Sequence, residues 1–108
     1  MHAHTVIAVY RPRPGQQAGL DALMKKHLEN LRSWGMATDA PAVLLKSKHD
    51  GSYLEIFDWV SKEVVDAAHH DPRVLAMWDA FGKVCDYVTL KDLHEGAEMF
   101  ASFERIEL

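Results

Sequence analysis

Ser52-Tyr-Leu-Glu-Ile-Phe-Asp-Trp-Val60 carries large side chains in the two-residue period of an extended strand. Tyr53, Phe57 and Trp59 fall on one face, and Leu54, Ile56 and Val60 on the other. Both faces of the sheet it belongs to must therefore be covered. The helices of a small domain cover one face, so the second is expected to meet another copy of the chain. An aromatic-rich, covered sheet with a histidine close by (His69) points to a site for a small apolar molecule.

The neighbouring segments read outward from this strand. Asp50-Gly51 precedes it and is a hairpin signal, because both residues tolerate positive φ in a tight turn. The strand paired through that turn covers residues 42–48. Residues 5–10 are a first strand rich in β-branched side chains, closed by Arg11-Pro-Arg-Pro-Gly15. A long helix over residues 16–34 carries Leu20, Leu23, Met24, His27, Leu28, Leu31 and Trp34 in one stripe, and Gly35 ends it. Ser61 caps a helix reaching His69 or His70; Asp71-Pro72 restarts it with Asp71 as N-cap and Pro72 at the first helical position. Val74, Leu75, Trp78, Phe81 and Gly82 share one side of this second segment. Residues 86–90 form a fourth strand, followed by an acidic helical turn (95–100) and an alternating tail (103–108) that extends the sheet or crosses to a neighbouring subunit. The order β-α-β-β-α-β is an α+β, ferredoxin-like sandwich with a four-stranded antiparallel sheet and helices on one face.

At 108 residues the sequence fits one domain, 1–108. The formal charge of -4, with basic residues in scattered pairs, gives no stripe to follow a phosphate backbone, so nucleic acid is excluded as a partner. The apolar run Val6–Tyr10 is too short for a signal-peptide core, and no stretch reaches the roughly 20 apolar residues that cross a bilayer. A cytoplasmic location away from membranes is expected. The lone Cys85 has no intramolecular disulfide partner and reads as a small buried hydrophobe at a helix-to-strand junction.

With these elements placed, the chain resembles the dimeric α/β-barrel families, in particular the proteins grouped with antibiotic-biosynthesis monooxygenases. The resemblance rests on Val6-Ile-Ala-Val-Tyr-Arg-Pro-Arg-Pro-Gly15, on Tyr53-Leu-Glu-Ile-Phe-Asp-Trp59, and on Asp66-Ala-Ala-His69 leading to Val74 and Phe81; it spans roughly residues 4–90 by element order. It implies a homodimeric barrel with small-molecule pockets between sheet and helices. It also implies an activity such as cofactor-independent oxygenation of an aromatic, quinol or polyketide-like molecule. A non-catalytic ligand-binding or interaction protein of the same fold is the alternative, and haem binding a third. The haem-degrading branch relies on an Asn in the first strand, which this chain lacks, and Trp78 stands near where that branch places its iron-ligating His.

His69 is the candidate base for such chemistry. An oxygenase without cofactor must take a proton from a phenol or activated C–H, and imidazole is the side chain suited to that near neutral pH. The plainer alternative is a helix-end residue holding a carbonyl. Asp58, flanked by Phe57 and Trp59 and taken to face the helices, is the candidate orienting carboxylate, with Glu55 on the opposite side. The alternative for either is an ion pair across a subunit boundary. Tyr53, Phe57, Trp59, Trp78 and Phe81 are the candidate walls of an aromatic pocket, or else plain packing. Among the seven histidines, His2 and His4 are spaced as a strand pair able to bind metal adventitiously, while His27, His49 and His94 stand alone. None has the helical pairing of a zinc site, so no metal and no cofactor is expected.

Overall fold

The computed structural model describes residues 3–107. His2 of the His2/His4 pair and the last residue of the tail lie outside them. β1 (His4–Pro12), α1 (Gln17–Ser33), β2 (Val43–Lys46), β3 (Tyr53–Trp59), α2 (Lys62–Ala68), α3 (Pro72–Val84), β4 (Cys85–Val88) and a short β5 (Glu104–Arg105) follow in that order. The five strands make one antiparallel sheet in the order β4-β1-β3-β2-β5. The chain is thus α+β with five strands and three α-helices, not four strands. The extra strand comes from the tail, where Arg105 and Glu104 pair with Leu45 and Lys46. No helix among the described residues is long and apolar enough to cross a membrane.

Local chemistry sets the boundaries of these elements. Gly35, at φ 73°, ends α1: its N–H bonds to Arg32 O and that of Met36 to Leu31 O, the paired bonds of a Schellman cap. Met36 and Leu31 then pack in one cluster. Ser61 Oγ accepts from the Val64 N–H to start α2. Asp71 accepts from the Arg73 N–H to start α3, with Pro72 next in the chain.

The Asp71 cap carries a pH signature. Arg73's guanidinium, and then its backbone N–H, hold the Asp71 carboxyl at about 2, below its ordinary ~3.9. A depressed carboxyl stabilises the fold fully above its unfolded value and loses that stabilisation as pH falls through the folded one. Asp71→Asn keeps a capping acceptor but loses the charge. Its urea midpoint is therefore expected to lie below wild type at pH 5–7 and to converge with it between roughly pH 4 and pH 2. A gap that stays constant across this range would remove the charge from the cap.

Helices cover the face of β3 that carries Tyr53, Glu55, Phe57 and Trp59. Phe57 and Trp59 pack with Leu31, Ala68 and Val74, and Tyr10 and Tyr53 with Leu20, Met24 and Phe81. Leu20, Leu31, Val74 and Phe81 are fully buried, and each such side chain stabilises the fold by about 1.5–3 kcal/mol relative to exposure. Leu75, expected on that same side, is 45% exposed; α3 turns it outward while Val74 and Phe81 point in.

On the other face, Val9 and Leu54 are buried by the chain itself. Leu93 and Phe103, from the segment after β4, pack on them with Leu45, Ile56 and Val88. A second copy is therefore not needed to cover all of that face. What stays open is its β1 side, where Ile7 is 46% exposed beside the half-buried Ile56.

Candidate functional site

The register of β1, β3 and β4 decides what lines the interior. Opposite Tyr53, Glu55 and Phe57 of β3 stand Tyr10, Ala8 and Val6 of β1, and Tyr87 of β4 lies opposite Tyr10. Every second residue shares a face, so these side chains all project toward the helices. α1 and α3 roof them with His27 and Trp78. Between the layers lies a cavity of about 310 Å³ walled by Val6, Ala8, Tyr10, His27, Phe57, Trp59, Trp78 and Tyr87. Its size lies at the small end of the ~300–1,000 Å³ typical of small-molecule sites. Half-exposed Tyr87, on the edge strand, forms part of its rim.

His27 brings a buried polar contact to this cavity. His27 and Glu55 are both buried, 3% and 4% exposed, and His27 Nδ1 lies 2.9 Å from Glu55 Oε1. That approach is too far off the ring N–H direction to count as a hydrogen bond, so the contact is chiefly electrostatic. The Tyr10 hydroxyl donates to the same Oε1 at 2.9 Å. Burial first, and then the charge of Glu55, push the Tyr10 phenol well above its ordinary value, which keeps it a neutral donor. The imidazole sits edge-on to Phe57 and Phe81, each ring centroid 5.4 Å away. A histidine, a carboxylate and a phenol are thus linked around one oxygen inside an aromatic shell. His27 and Tyr10 line the cavity, and Glu55 does not.

The sequence candidates distribute differently. Phe57, Trp59 and Trp78 do line the cavity. Phe81 lies behind it, fully buried beneath Tyr10 and His27. Tyr53, although opposite Tyr10, does not line the cavity; its hydroxyl donates to Asp21 at 2.6 Å. His69 is exposed; its Nδ1 donates to Val65 O at 2.8 Å, and its ring reaches the cavity only through Trp78, centroid to centroid 5.0 Å. Asp58 does not face the helices. It shares parity with Leu54 and Ile56, and its carboxylate accepts from Thr5 Oγ1 at 2.6 Å near the surface. The interior carboxylate is Glu55, because it shares the parity of Tyr53 and Phe57.

His27 and Tyr10 are the residues that sequence reasoning left without a role. A signal existed for the first: His27 occupies the α1 stripe between the buried Met24 and Leu31, and a polar ring on a buried face requires a partner. Cys85 is buried, its Sγ donating to Phe81 O at 3.2 Å; burial, with Asp86 beside it, raises the thiol to about 11, so it is no nucleophile.

A larger groove of about 580 Å³ runs between α1, β2 and the tail, bordered by Lys25, Glu29, Arg32, Arg105 and Glu107, and Glu55 lies on this groove rather than on the aromatic cavity. Its charges are of both signs, and Arg32 is already engaged with the carbonyls of Thr38 and Ala40. It presents no convergent chemistry comparable with the His27 wall. No family model matches the chain, and no curated protein matches it.

Proposed function

We propose that this chain takes a small, flat aromatic, quinol or polyketide-like molecule into the cavity beneath Trp78, and that His27 and Glu55 are the acid–base pair of a cofactor-independent monooxygenase reaction there. The observation that carries this reading is His27, buried on the wall of an apolar, largely aromatic cavity with the Glu55 carboxylate 2.9 Å from its Nδ1. A ferredoxin-like scaffold of the dimeric-barrel kind accompanies it, supported by the strand order β4-β1-β3-β2 and by helices on one face.

In the proposed reaction His27 removes a proton from a phenol or an activated CH2. Glu55, at Nδ1, stabilises the imidazolium that forms. The electron-rich anion passes one electron to O2, and the superoxide and carbon radical combine to make a C–O bond. The peroxide then loses water as its O–O bond breaks, taking up the proton held by His27. One oxygen atom ends in a new carbonyl and the other in water, so CH2 and O2 become C=O and H2O. Trp59, Trp78 and Phe57 hold the flat ring and exclude water.

A binding protein without turnover is the second reading, and one observation favours it. Tyr10 and His27 converge on the same Glu55 oxygen, a network that also serves to fix a polar group inside a core. Oxygen uptake and tryptophan-fluorescence titration with a panel of anthrones, hydroquinones and naphthols separate the two. Quenching with uptake supports the enzyme, quenching alone supports the binder, and neither signal across the panel counts against an aromatic ligand.

Dimerisation belongs to the same proposal, through the open β1 side of the second face around Ile7 and Ile56. Light scattering at micromolar concentration is expected to return twice the chain mass. A monomer mass would remove the barrel.

A further inference from the structure

The tight turn between β2 and β3 and the segment after β4 meet at a place unconnected with the cavity. Ser47 Oγ donates to both oxygens of the buried Glu95 carboxylate, at 2.8 and 3.2 Å, and accepts the backbone N–H of His49 at 3.1 Å. This interior contact fixes the two segments against each other and sets His49 beside His94, the neighbour of Glu95. Their rings face one another with centroids 3.7 Å apart and planes at 30°. Glu98 closes the group: one ligand atom from each of His49, His94 and Glu98 lies within 4.8 Å of the others, all three side chains exposed.

We infer that His49, His94 and Glu98 form a binding site for a divalent transition-metal ion, Zn2+ in particular, that clasps the segment after β4 to the β2–β3 turn. Two imidazole nitrogens and one carboxylate oxygen are a borderline donor set that suits Zn2+, Co2+ or Ni2+ and leaves a position for water. Tetrahedral bonds of roughly 2.0–2.1 Å place ligand atoms about 3.3 Å apart. Exposed side chains on a fixed frame close the remaining distance by rotation. Glu95, buried next to His94 in the chain, is not a ligand but anchors that segment through Ser47. The consequence reaches the sheet, because Leu93 beside His94 is the side chain that covers Val9 and Leu54.

Isothermal titration of the full chain, tag removed, with Zn2+ alone tests this. One equivalent is expected to bind. His49→Ala and His94→Ala should each weaken binding by at least roughly the tenfold that loss of a mere outer partner costs. Circular dichroism spectra matching wild type are the check that these surface variants remain folded. Co2+ in place of Zn2+ should give intense tetrahedral visible bands in wild type that the His94→Ala protein lacks, and Zn2+ should raise the melting midpoint of wild type alone. Absence of binding by wild type overturns the site. So does equal binding by wild type and the His49→Ala/His94→Ala double variant, which assigns the ion to His4 or another surface group.

Discussion

His27→Ala is expected to lower oxygen uptake on a turned-over anthrone or hydroquinone by about a hundred- to ten-thousand-fold, the range typical for loss of a general base. The loss should fall mainly on kcat. The substrate's rings are held by Phe57, Trp59 and Trp78, which the substitution leaves in place, so KM should change little. His69→Ala is the informative comparison. That ring is exposed, its Nδ1 is committed to the Val65 carbonyl, and it meets the cavity only behind Trp78, so its removal should cost far less. Equal rates in wild type and His27→Ala, or a larger loss in His69→Ala, would move the base out of α1. Because His27 is buried beside Phe57 and Phe81, the variant also leaves a hole next to the site. His27→Gln, which keeps a polar group of similar reach, separates the two effects. If it restores stability but not turnover, the loss belongs to proton transfer.

The fold was legible where period and caps agree. The alternation of 52–60, the stripe of α1 with Gly35 behind it, and Ser61 and Asp71-Pro72 as start signals each appear in the structure within a few residues of their expected places. The second sheet face was not. Its cover comes from Leu93 and Phe103, isolated apolar residues in an acidic stretch without period, and only their packing on Val9 and Leu54 reveals them. The alternation of 103–108 marks a tail able to extend the sheet, and it does so beside β2, though over two residues only.

The site was legible by half. Phe57, Trp59 and Trp78 line the cavity because strand and helix periodicity put them there. The carboxylate was misplaced because flanking aromatic residues drew attention to Asp58, although a strand sends adjacent residues to opposite faces. Parity alone selects Glu55. Its partners lie in α1 and β1, and the meeting of His27, Tyr10 and Glu55 depends on how helix and sheet stack, a tertiary fact with no local mark. The meeting of His49 and His94 is hidden for the same reason.

Glu55→Ala should destabilise the fold by about 1–3 kcal/mol, the usual cost of leaving a buried polar partner unsatisfied. The substitution orphans the Tyr10 hydroxyl, which donates to Glu55, and takes the carboxylate away from a His27 Nδ1 that has no hydrogen bond; an unsatisfied buried group costs about 1–3 kcal/mol. Glu55→Gln keeps a carbonyl oxygen for Tyr10 and should cost less than half as much. Tyr10→Phe removes a donor while leaving His27 paired, and should cost about 0.5–1.5 kcal/mol. Urea unfolding of the three variants gives the series directly, with m values confirming that the unfolded reference is unchanged. A triple replacement of Tyr10 by Phe, His27 by Leu and Glu55 by Leu completes the argument. Apolar residues in place of a buried ionic network are often neutral or stabilising by 1–4 kcal/mol, so this protein should be at least as stable as Glu55→Ala and close to wild type. If the triple variant is stable and still binds aromatic ligands but no longer consumes oxygen, stability cannot be what the three polar residues are for. A cost below about 1 kcal/mol for Glu55→Ala would mean that the carboxylate is hydrated rather than enclosed, and the interior acid–base pair would fall with it.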